Sequence, residues 1–162
     1  MSEFLNAFSG GIRLAKIAAD ARLEIDEVFK RLSGDVLHAS NGVIEIERVP
    51  KTSTLNAIYR VAMQLAATES TDAESIAARR VGSKSSSWTH LAEWIPSEQG
   101  YPCVVAFAGS RNTCLDAQAL SAVLSDMLSY AGTGRKLLEI MNRAGVGASE
   151  VSPENGADKP KA

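Results

Sequence analysis

Apolar residues recur along the first thirty positions with a helical rhythm. Phe4, Ala7, Gly11, Leu14, Ala18, Ala21, Ile25, Val28 and Leu32 are spaced alternately by three and four, which lines them on one stripe of a helix. Arg13, Lys16, Asp20, Glu24 and Glu27 fall on the other face, with Lys16/Asp20 and Glu27/Arg31 at the i,i+4 spacing that suits ion pairs. A long amphipathic helix is therefore predicted over residues 12–32. Gly10 and Gly11 loosen its start, and Gly34 is its expected C-terminal stop.

A β-hairpin is predicted next. Asn41-Gly42 is the dipeptide preferred by a two-residue turn in which both residues take positive φ. Folding about it sets Ala39 against Ile44, Leu37 against Ile46, His38 against Glu45 and Asp35 against Arg48, and Pro50 ends the second strand. Residues 55–68 fit two patterns: Tyr59, Val61, Met63 and Leu65 alternate like a strand, while Asn56, Arg60 and Gln64 recur like a helix. The need of a lone hairpin for further strands tips this segment towards strand. Thr71-Asp72-Ala73-Glu74 has the form of a capping box opening a short helix that ends near Gly82. A polar loop is expected over residues 82–87, then a short helix or edge strand over 88–95, a turn over 96–102 and a buried strand over 103–108.

After Gly109, Ser110, Arg111 and Asn112, Thr113 is positioned to cap a helix whose apolar face is Leu120, Val123, Leu124, Met127 and Leu128. Thr133 or Gly134 restarts a helix through Leu137, Leu138 and Met141. Beyond Gly145 the periodicity stops, and Gly, Ser, Pro, Glu and Lys dominate. The fold class expected is α+β: a long N-terminal helix, an antiparallel hairpin or small sheet, and C-terminal helices packed on one face. Residues 1–145 form one domain in this reading, and 146–162 a disordered tail.

Composition narrows the function classes. With 45% apolar and 22% charged residues in a chain of 162, this is an ordinary globular composition. A formal charge of −2 gives no overall attraction to nucleic acid or to anionic membranes. The longest uninterrupted apolar run, residues 103–108, is too short to span a bilayer. Two cysteines without C-x-x-C spacing, and no basic-then-apolar leader, point to a reducing, cytoplasmic home.

Candidate chemistry is sparse. Serine-hydrolase elbow, zincin, dinucleotide-fold and complete phosphate-loop motifs are absent, and Gly132-Thr133-Gly134-Arg135-Lys136 lacks the strand and the hydroxyl residue a phosphate loop needs. The two histidines, His38 and His90, lack the close partners of a metal site, so neither a metal nor a cofactor is called for. Three weaker candidates stand out. The stretch Gly109, Ser110, Arg111 and Asn112, placed between a strand and a helix N-terminus, suits an anion, and Cys114 in that helix's first turn would be an activated thiol if exposed. Residues 76–91 have the outline of a degenerate helix-turn-helix, with Arg79, Arg80 and Lys84 offered to phosphates. Trp88 and Trp94 flank a short apolar segment, and one of them is free for a partner protein.

The leading expectation is a small non-catalytic accessory protein that binds another protein, in the manner of a chaperone, an immunity-type inhibitor or a phage accessory factor. Its N-terminal stripe is rich in small residues and packs either on its own sheet or on a second copy in a homodimer. A DNA-binding regulator using residues 76–91 is the alternative. A ligand-binding protein or enzyme built on residues 109–114 comes third.

Overall fold

The computed structural model describes residues 2–51, 74–83 and 88–143. The helix α1 runs over Glu3–Ala39, longer at both ends than its apolar rhythm predicts, and Gly34 lies within it rather than stopping it. It ends in a Schellman motif: the Gly42 amide donates to the Leu37 carbonyl at 2.7 Å and the Asn41 amide to that of His38 at 3.1 Å. Asn41 (φ 55°) and Gly42 (φ 78°) both take positive φ, as their sequence demands. The expected hairpin is nevertheless absent, because residues 35–39 are helical and His38 does not face Glu45 across a strand pair. The buried Ser40 closes the connection by accepting the Ile44 amide on its Oγ at 3.0 Å.

Five strands then form an antiparallel meander in sequence order: β1 (Ile44–Pro50), β2 (Glu74–Arg80), β3 (Thr89–Ile95), β4 (Cys103–Phe107) and β5 (Ser110–Cys114). The strand β1 ends at Pro50 as expected, and β4 is the predicted buried strand. Three expectations are corrected here. The helix expected from the capping box is β2, whose alanines are buried on both faces of the sheet. The segment that was open to helix or edge strand is β3, which lies in the middle of the sheet. The presumed loop of Ser110, Arg111 and Asn112 is the edge strand β5, paired with β4 through Val105↔Asn112 and Ala106↔Arg111. A two-residue turn of Ala108 (φ 52°) and Gly109 (φ 77°) joins β4 to β5. The tight hairpin is here, not at Asn41-Gly42.

Two helices follow, α2 (Ala117–Ser129) and α3 (Ala131–Asn142). Asp116, not Thr113, caps α2, its carboxylate accepting the Ala119 amide at 2.7 Å. The predicted apolar face holds: Leu120, Leu124 and Met127 are buried, with Val123 and Leu128 against them. The three described helices pack on one face of the sheet. That face carries Ile44, Ile46, Ile76, Ala78, Ala92, Trp94, Cys103, Val105 and Cys114, and α1 adds Ile25, Val28, Phe29 and Leu32. Each Ile, Val, Leu or Phe side chain among them contributes about 1.5–3 kcal/mol by its withdrawal from water. Phe29 meets Trp94 edge-on with ring centroids 5.0 Å apart, which pins α1 to the centre of the sheet. Residues 55–68, 71–73, 84–87 and 146–162, with the expectations attached to them, lie outside the described residues.

Candidate functional site

The packing stripe of α1 is used only in part. Burial on α1 begins at Ile25, so Ile25, Val28 and Leu32 of the predicted stripe are in the core while Phe4 and Leu14 are in solvent. Among the described residues, the last docking point towards the N-terminus lies at residues 21–22. Arg22 donates to the Glu98 carbonyl, and Ala21 lies against Gly100. Gly100 sits at φ +85°, and a Cβ built on it would fall 2.5 Å from the Ala21 Cβ, so only glycine allows this approach.

Upstream of that contact, residues 3–20 form an exposed helical arm of roughly 27 Å at about 1.5 Å per residue. Phe4 is 82% exposed and Phe8 70%, and Leu5, Ile12, Leu14 and Ile17 are each about half exposed or more. Scattered single apolar residues on a surface are ordinary; six large ones along one helical segment form a patch of the kind that marks an interaction surface. Phe4, Leu5, Phe8 and Ile12 share one side of the arm with Ala15 and Ala19, rotated away from the face that Ile25, Phe29 and Leu32 present to the sheet.

The residues singled out from sequence fall elsewhere. Gly109, Ser110, Arg111 and Asn112 occupy the β4–β5 turn and β5 rather than a loop leading into a helix, so the strand-to-helix geometry behind the anion reading is not present among the described residues. Asn112 spends its amide on the Val105 carbonyl at 3.3 Å. Cys114 is in β5, not in a helix, and pairs across the strands with Cys103; both are free thiols and fully buried. Burial pushes the Cys103 thiol up to about 12 and raises that of Cys114 as well, the opposite of activation.

The segment outlined as a helix-turn-helix is β2 and β3, so there is no recognition helix over its described residues. Arg79 pairs with Glu45 and stacks over the Trp88 ring at 4.3 Å, and Arg80 donates to the Met141 carbonyl at 2.9 Å. Lys84 lies outside the described residues. Of the two tryptophans, Trp94 is core, 1% exposed, and Trp88 is half-buried under Arg79. The structure therefore does not bring these residues together into one site.

Sequence spacing concealed two polar arrangements that strand register reveals. Ser75 on β2 and His90 on β3 are joined through Oγ and Nδ1 on the sheet face opposite the described helices. Burial, helped by the ammonium groups of Lys136 and Lys51, lowers the His90 pKa against a weaker opposing pull from Glu93. Glu93 is held by Lys51 at 3.1 Å, and Ser75, a residue 5% exposed, also donates its hydroxyl to the Ala92 carbonyl. Among the described residues no carboxylate hydrogen-bonds the His90 ring, and His90 and the buried Ser75 form a link between the two strands. The second arrangement is the Arg48–Asp26 ion pair at 2.5 Å, whose guanidinium lies 4.5 Å from the Phe29 ring centroid and 5.8 Å from that of Trp94. It borders a cleft of about 190 Å³ lined by Arg22, Asp26, Arg48, Glu74 and Trp94. That volume is below the usual range of small-molecule sites, about 300–1,000 Å³.

Among the described residues there is no cluster of three or more metal-ligating side chains, and no helix long and apolar enough to cross a membrane. No family model, no curated protein and no solved structure matches this chain. Its described residues form an α+β fold with a five-stranded antiparallel meander, three helices on one face and an exposed helical arm.

Proposed function

We propose that this protein is a non-catalytic accessory protein that binds another polypeptide through the exposed half of its N-terminal helix. The observation that carries the reading is the arm itself: Phe4 and Phe8 stand 82% and 70% exposed on a helix whose other half is built into the core. Aromatic side chains bring a large apolar area to an interface at little entropic cost, and they are enriched among residues that dominate binding energy. Leaving them in water serves stability nothing. The buried, protonated thiols and the enclosed Ser75 fit a body that holds the arm rather than one that carries out chemistry.

The test is the double variant Phe4→Ser/Phe8→Ser in the full chain, compared with the unaltered protein by chemical cross-linking and by thermal unfolding. The expected result is loss of the cross-linked complex with the unfolding transition of the body unchanged. Identical complexes in both proteins would refute the reading. So would collapse of the fold, because the arm would then belong to the core.

A further inference from the structure

We infer that the partner of the arm is a second copy of the same arm, paired antiparallel about Ile12. This rests on the reading of the arm as the docking element and names its occupant.

Leu5, Phe8, Ile12, Ala15 and Ala19 follow the three-four alternation of a coiled-coil seam, with Phe4, Gly11 and Ala18 flanking it on one side. The seam is lopsided: its N-terminal half is large and its C-terminal half small. An antiparallel pair centred on Ile12 sets Leu5 against Ala19 and brings Phe8 over Ala15. Phe4 then lies within about 3 Å of Ala18 along the axis, and the two Gly11 residues flank the central Ile12 pair. Large side chains meet small ones on either side of a central Ile12–Ile12 contact. Parallel pairing in register would instead stack Phe8 on Phe8 and leave gaps at Ala15 and Ala19, which is poor packing.

Charge does not oppose the antiparallel arrangement. Glu3 lies on the outer side of the arm, and Lys16 borders the seam at the level of Phe8 and Ser9. No like charges face each other along the seam, and Arg13 and Asp20 point away from it. The arm's charged residues Glu3, Arg13, Lys16 and Asp20 cancel, so the arm lacks the basic face that draws an amphipathic helix onto an anionic membrane. Covering the seam would bury on the order of 500 Å² per arm, about 1,000 Å² in total, which is the lower bound for a specific interface. The pairing should therefore be reversible and concentration-dependent. Leu14 and Ile17 lie off the seam and are not needed for it.

The experiment is sedimentation equilibrium on the purified full chain over concentrations from about 1 to about 200 µM. A monomer–dimer equilibrium is expected, weakened about 100-fold or more by Phe8→Glu and likewise by Ile12→Glu, two exposed positions remote from the core. For orientation, Leu5→Cys/Ala19→Cys should form an interchain disulfide under an added oxidant, and Leu5→Cys alone should not. A dimer joined by Leu5→Cys alone, or one indifferent to Phe8→Glu, overturns the proposal. A strict monomer also overturns it, as does a monomer that binds phospholipid vesicles through the arm. A monomer that holds a different protein in a Phe8-dependent complex would retire self-pairing and leave the docking reading standing. A monomer with no Phe8-dependent complex retires both.

Discussion

Over residues 25–36, α1 turns Ile25, Val28, Phe29 and Leu32 onto the sheet and buries them. Over residues 3–20 the same unbroken helix leaves Phe4, Leu5, Phe8 and Ile12 in water. The two halves have similar residue types and the same secondary structure, so neither propensity nor amphipathicity separates them. What separates them is a surface to lie on. The loop of residues 96–102 ends the packed half at Gly100, and upstream of it the helix outruns the sheet. An apolar stripe therefore predicts that a helix has a partner, and says nothing about whether that partner is in the same molecule.

The sharpest way to break this comparison is one substitution made in each half. Phe29→Ala should destabilise the protein by about 3–5 kcal/mol in denaturant unfolding, the cost of emptying a filled aromatic site. Phe8→Ala, the same chemical change, should leave unfolding unaltered at concentrations low enough to keep the chain monomeric. Equal losses at both positions would erase the distinction. At the boundary, Gly100→Ala should cost about 1–3 kcal/mol, since the new Cβ meets Ala21 in a backbone conformation that favours glycine. Its effect should appear as faster amide exchange around residues 21–25. In the body far from the arm, Asp116→Ala should cost about 1 kcal/mol by removing the α2 cap, with no change in self-association.

The smallest effect concerns pH. His90 has a folded pKa below its ordinary 6.5, mainly because its ring is partly desolvated, with Lys136 and Lys51 adding to the effect. As pH falls through 6.5 the unfolded chain takes up that proton first, so stability declines and then levels off below the lowered folded value. His90→Gln should flatten this slope in a series of urea titrations. It should leave the arm's association untouched at every pH.

Much of the architecture was legible in the chain. The helical stripe to Leu32, the strand ending at Pro50, the buried run at Cys103 and the face of Leu120, Leu124 and Met127 each follow from periodicity and burial alone. The misreadings share a cause: a local signal was genuine but served another structure. Asn41-Gly42 adopts the two positive φ angles its chemistry favours, yet a helix C-cap uses such a pair as readily as a hairpin does. The alanines of β2 suit a helix, and burial on both faces of the sheet overrides that preference. Ser110, Arg111 and Thr113 look like a loop because β5 is an edge strand, where polar residues face water and discourage further pairing. The candidate site was legible as a stripe of small and large residues but not as an arm, because where the sheet stops is a tertiary fact.

Amide hydrogen exchange along α1, followed at rising protein concentration, tests the central claim most directly. Residues 25–36 should be protected at every concentration, whereas amides over residues 5–19 should exchange quickly in dilute protein and become protected as it is concentrated. Exchange over 5–19 that stays fast throughout, or protection there that is independent of concentration, would contradict an arm completed by a second copy of itself.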